Sequence, residues 1–135
     1  MRIYLAAAWG RKDEIKAVAD QINMLGCGAH VDSRWLYEPK GLDTLEARQE
    51  RAEIDVTDVE AADVLVRFSD DLSAPMISSS LATGARMVEM GFALAWGKKV
   101  VVVGGYQPIF DYLPNVIHLK DVDELLTWIM EESNG

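Results

Sequence analysis

The sequence predicts an α/β fold: a single doubly wound, Rossmann/flavodoxin-like domain over residues 1–135, with a five-stranded, mainly parallel sheet. Three observations point to it. Short apolar or β-branched runs alternate with stretches of helical periodicity, the pattern of right-handed βαβ units. The run from Val100 to Val103 is apolar throughout, as a strand covered on both faces must be. At 135 residues, half of them hydrophobic, the chain has the size and composition of one globular core.

Residues 2–8 read as a first buried strand. Ile15, Val18, Ala19, Ile22 and Leu25 recur at helical spacing, so a helix is expected over 13–25, with Gly26 placed to end it. Ala29, Val31 and Ser33 alternate with His30, Asp32 and Arg34, which predicts a second strand over 28–35. A connector carrying Pro39 leads to a charged helix over about 43–62, with Leu45, Ala52, Val56 and Val59 sharing one face. Residues 63–68 form a third strand around Val64-Leu65-Val66, and 69–83 a long loop rich in Ser, Asp and Ala. An apolar helix then closes at Gly97 and feeds the fourth strand, 100–103. A short fifth strand, 116–119, precedes a final helix over 121–132 that turns Val122, Leu125, Leu126, Ile129 and Met130 inward.

Charge narrows the function classes. Thirteen basic residues against 22 acidic ones give a net charge of −9, which repels the phosphates of DNA and RNA, so no polymeric nucleic acid is expected as a partner. No apolar run approaches the length of a membrane span, and no membrane partner is expected. The N-terminal apolar stretch is too brief for a signal peptide. Cys27 is alone, so there is no intrachain disulfide and no cysteine metal cluster; the expected location is cytoplasmic. His30 and His118 have no acids at ligand spacing, and no G-x-G-x-x-G follows the first strand. No metal or cofactor is therefore expected.

Chemistry concentrates in the loops that follow the strands, where doubly wound sheets bind ligands. Glu89 is the one carboxylate between Ala85 and Trp96, among Met, Val and Phe. An ionised carboxylate there is costly unless it is paired or used. The stretch Ser78-Ser79-Ser80-Leu81-Ala82-Thr83-Gly84 leads into its helix, with Arg86 in the first turn and Thr83 as a capping residue. Hydroxyls, free N–H groups and a cation at a helix N-terminus suit an anion such as phosphate. A surface pair between Arg86 and Glu89 is the plainer alternative. By pattern alone Asp55 is a charge flanking an apolar stripe, while Trp9 and Trp35, at strand ends, offer rings on which a base could stack.

Three segments carry a family resemblance: Ile3-Tyr4-Leu5-Ala6-Ala7, the passage from Asp55 to Val66, and Glu89-Met90-Gly91-Phe92-Ala93-Leu94-Ala95-Trp96-Gly97-Lys98-Lys99-Val100. Together they resemble the nucleoside 2-deoxyribosyltransferase superfamily, which includes the 2′-deoxynucleoside 5′-phosphate N-hydrolases. The last segment matches its E-x-G-x-A-x-x-x-G-K-x-V signature. The resemblance implies a nucleophile at Glu89, an assisting acid at Asp55, a first-strand tyrosine at Tyr4 and a phosphate-holding hydroxyl at Thr83. It also implies a small-molecule nucleotide or nucleoside as substrate, and a homodimer or higher homo-oligomer. The expected activity is N-glycosidic cleavage of (2′-deoxy)nucleoside 5′-monophosphates by hydrolysis or base transfer. Ala7, Trp9, Trp35, Ser80, Thr83, Gly84 and Arg86 are the expected substrate contacts. The chain carries Ala85 where the family often has glycine, and Ala6-Ala7-Ala8 where its first loop usually contains one. These differences motivate the alternative of a non-catalytic nucleotide-binding or sensing module.

Overall fold

Strand and helix alternate as expected. The strands are β1 (Arg2–Ala6), β2 (His30–Val31), β3 (Val64–Phe68), β4 (Lys99–Val103) and β5 (Val116–Leu119). They form one sheet in the order β2-β1-β3-β4-β5, every neighbouring pair parallel. The computed structural model describes residues 1–38, 44–70 and 84–134. Its α-helices are α1 (Lys12–Asn23), α2 (Leu45–Ala61), α3 (Ala85–Ala95) and α4 (Val122–Asn134). Parallel strands need crossovers and cover on both faces. Here α1 packs on α4, and α2 on α3, so the sheet lies between two helical layers. The order reverses at β1, whose chain steps first to β2 and then, through α2, to β3 on the other side. The ends of β1 and β3 therefore open onto a switch point.

The second strand is much shorter than the alternation predicts. Its backbone ladder against β1 ends where Asp32 N–H donates to Ile3 O, 3.0 Å. Side chains then take over: Ser33 Oγ accepts from Leu5 N–H at 2.8 Å, and Trp35 Nε1 donates to Leu5 O at 2.8 Å. With β1 satisfied in this way, residues Arg34–Tyr37 wind into a 3-10 turn.

Helix α2 also departs from its apolar reading. Leu45 is 77% exposed and Ala52 is exposed, while Arg51, Asp58 and Val59 are buried and Asp55 is half-buried. The inward face is largely polar, and several of its groups have partners that periodicity cannot reveal. Arg34, for example, clasps Asp58 through its backbone N–H at 3.0 Å and its guanidinium at 2.8 Å. In α4, Leu125 and Ile129 enter the core, but Met130 is 43% exposed because the helix lies at the end of the sheet against edge strand β5.

The expected stop at Gly97 holds. Gly97 has φ 71°, its N–H bonds Leu94 O at 3.2 Å and Lys98 N–H bonds Ala93 O at 2.9 Å. That pair of bonds closes α3 with the left-handed residue that glycine adopts without a Cβ penalty.

Candidate active site

Tyr4 sits in the middle of β1 with its side chain fully buried, and its hydroxyl donates a hydrogen bond to Glu89 Oε2 on α3. Burial strips water from the Glu89 carboxylate and raises its pKa to about 8; the Tyr4 hydrogen bond opposes the rise, and the charge of Asp55 adds to it. The Tyr4 phenol is itself raised well above its ordinary value, by burial first and then by Glu89 and Asp55. It therefore remains a donor at every physiological pH.

Asp55 approaches from α2, which packs on α3. Its pKa is raised to about 6, chiefly by burial; Arg51 pulls the other way, Asp58 and Glu38 add to the rise, and Arg34 opposes it. Its Oδ1 is buried with no hydrogen-bond partner among the described residues. Two carboxyls with pKa values near 6 and 8 hold one proton between them across neutrality. Such a pair can divide labour, one member ionised and the other acidic.

Trp9 lies in the turn after β1, 36% exposed. The Arg51 guanidinium is 5.3 Å and Lys12 Nζ 4.7 Å from its ring centroid, and Trp35 lies 6.0 Å away at a tilt of 37°. Trp35 is only 5% exposed and spends its indole N–H on β1, so it is a core residue bracing Trp9, with little open face of its own. Ala7 is half-buried in the same turn.

At the start of α3 the N-cap is Gly84, with φ 84° and no side-chain cap. Ser80 and Thr83 lie outside the described residues. Arg86 is buried and paired with Asp70 rather than with Glu89. Gln107 holds Asp70 from the other side: Asp70 N–H donates to Gln107 Oε1 at 3.0 Å, and Gln107 Nε2 donates to Asp70 Oδ2 at 3.2 Å.

Beneath α3 lies an ion pair that the sequence reading missed. Arg67 and Asp111 are both fully buried and joined by two 2.6 Å bonds, with Met87 and Met90 sulfurs 3.4 and 3.2 Å from the same guanidinium. The signal was available. Arg67 is the lone charge in Val-Leu-Val-Arg-Phe, just as Glu89 is in its helix. A shallow groove at the β5–α4 edge, lined by Leu119, Trp128 and acidic side chains, contains none of these groups.

Strand order and site together define an α/β domain of flavodoxin-like topology in which a buried tyrosine meets two half-buried carboxyls. Several solved structures share this fold, among them two enzymes. A 2-deoxyribosyltransferase from the psychrotolerant bacterium Bacillus psychrosaccharolyticus is 17% identical over 98% of this chain and 96% of its own, with a TM-score of 0.69. The CMP N-glycosidase BcmB of Clostridium botulinum is 21% identical over 96% of this chain and 98% of its own, with a TM-score of 0.59. The chain thus shares its fold with these two proteins, the fold that its motifs implied. No family model matches the sequence, and no curated protein matches it.

Proposed function

We propose that this protein is an N-glycosidase of (2′-deoxy)nucleoside 5′-monophosphates, acting through a covalent glycosyl-Glu89 intermediate. The observation that carries the reading is the Tyr4–Glu89 hydrogen bond beside the half-buried Asp55. Glu89, ionised, forms a bond from a carboxylate oxygen to C1′ as the C1′–N bond breaks through an oxocarbenium-like state. The electron pair of that bond leaves with the base, which takes a proton from Asp55. Tyr4 holds the attacking carboxylate in place. Water then releases the sugar phosphate, or a second base accepts the sugar. The two proteins of like fold, a deoxyribosyltransferase and a CMP N-glycosidase, support sugar–base chemistry at this site.

The test is a panel of the common ribo- and deoxyribonucleosides and their 5′-monophosphates, with free base measured by chromatography. Base release from a monophosphate is expected. No release from any compound would overturn the reading, and binding without release would favour a non-catalytic module. A second free base in the same assay separates hydrolysis from transfer.

A further inference from the structure

We infer that Asp70 is an internal counter-anion that competes with the substrate's 5′-phosphate for Arg86, and so sets the preference between phosphorylated and unphosphorylated substrates. The inference rests on the nucleotide reading above and deepens it. Arg86 lies one helical turn before Glu89, and its side chain is 9% exposed. One terminal nitrogen bonds Asp70 Oδ2, while its Nε is buried with no hydrogen-bond partner among the described residues. Asp70 stands two residues beyond β3 and is 30% exposed, so it forms the solvent side of the pair. Gln107 clasps it, and the Gln107 N–H is in turn anchored on Asp111 Oδ2 at 2.9 Å.

A buried guanidinium needs a counter-anion. The N-terminal end of α3 carries positive potential as well. Asp70 supplies the anion internally and uses only part of what Arg86 offers. A phosphate presents three acceptor oxygens and more charge, and it suits a two-pronged guanidinium. It can take over Arg86, using the idle Nε, while Asp70 moves into water from its partly exposed position. A neutral 5′-hydroxyl carries no charge with which to displace a carboxylate, so it leaves the pair intact. The strength of the Asp70–Arg86 contact is then subtracted from the affinity for the phosphorylated substrate alone.

The decisive experiment compares wild type with Asp70→Asn, which removes the charge and keeps the shape. For a 2′-deoxynucleoside 5′-monophosphate and the matching nucleoside, the ratio of kcat/KM values should rise about tenfold in favour of the monophosphate, the scale of one charge-assisted hydrogen bond. Arg86→Met should lower that ratio by a similar factor. An unchanged ratio, or an equal loss with both substrates, would make Asp70 a structural residue and overturn the inference. Inorganic phosphate, titrated against thermal unfolding, gives a readout independent of turnover. Asp70→Asn should be stabilised at lower phosphate concentrations than wild type, and Arg86→Met should not respond. If Asp70→Asn fails to fold, Gln107→Ala, which loosens the clasp on Asp70, should shift the phosphate titration in the same direction, and no shift would refute the claim. If wild type releases base from neither substrate, the nucleotide reading falls, and the phosphate titration still decides the role of Asp70.

Discussion

Tyr4 on β1 donates its phenolic hydrogen bond to Glu89 on α3, 85 positions further along the chain. The contact joins the strand at which the sheet order reverses to a helix packed against it. It also links the first and last of the family-like motifs. Its physical effect is to counter part of the burial that pushes the Glu89 carboxyl up to about 8.

Tyr4→Phe removes that opposition. Glu89 should then titrate still higher and be less ionised at neutral pH. The expected loss in kcat/KM is about ten- to a hundredfold at pH 7, the scale of one charge-assisted hydrogen bond. Part of the loss should be recovered in alkaline buffer. A pH–rate profile of base release checks this; a uniform loss with unmoved limbs would contradict it.

The wild-type profile should itself be bell-shaped. The pair must carry one proton, lost near the higher value of about 8 and doubled near the lower value of about 6. The productive arrangement places that proton on Asp55, and the resting one on Glu89. Asp55→Asn should remove protonation of the leaving base, with the largest loss for the poorest leaving bases. An activity flat across this range would exclude the pair as acid and nucleophile.

Stability should depend on pH in the same window. Unfolded, the Glu89 carboxyl titrates near its ordinary 4.5, and folded, at about 8. The fold therefore favours the protonated form, and stability is lost as pH rises from the lower value toward the higher. Asp55 acts in the same direction, from 3.8 to about 6. Urea unfolding at several pH values should show this decline. Glu89→Gln should flatten it and, in mildly alkaline buffer, exceed wild type by on the order of a few kcal/mol.

The buried Arg67–Asp111 pair makes a separate prediction. Arg67→Met leaves Asp111 enclosed without its cation and should cost about 3–5 kcal/mol in urea unfolding. Adding Asp111→Leu should restore part of the loss, since an apolar pair removes the stranded charge. A single variant as stable as wild type would show that water reaches the site.

Association is the third expectation outside catalysis. Leu45 on α2 and Val88 and Trp96 at α3 are 77%, 58% and 42% exposed, large apolar side chains that association would cover. Ile54, on the same helix as Leu45, is half-buried. Sedimentation at micromolar concentration should give a dimer or larger species, reduced toward monomer by Val88→Glu. A monomeric wild type would reject it.

Much of this was legible in the sequence because burial leaves a periodic trace. The parallel strands, the Gly97 stop and the isolation of Glu89 could all be read from apolar spacing. Asp55 could not, because α2 turns its charged side inward and the stripe of Leu45, Ala52 and Val56 indicates the wrong face; only the motif resemblance reached it. The second strand was overextended because Ser33 and Trp35 replace backbone ladder bonds with side-chain ones, and the alternation continues regardless. Asp70 and Gln107 meet through tertiary contact between two strand-end loops, which no local pattern encodes.

The most direct test of the central claim is the rate of base release by Glu89→Gln relative to wild type, on the best monophosphate substrate, with thermal unfolding showing that both are folded. A nucleophile that forms the glycosyl bond cannot be replaced by an amide, so activity should fall by at least about a thousandfold. A variant within about threefold of wild type would contradict the covalent role of Glu89.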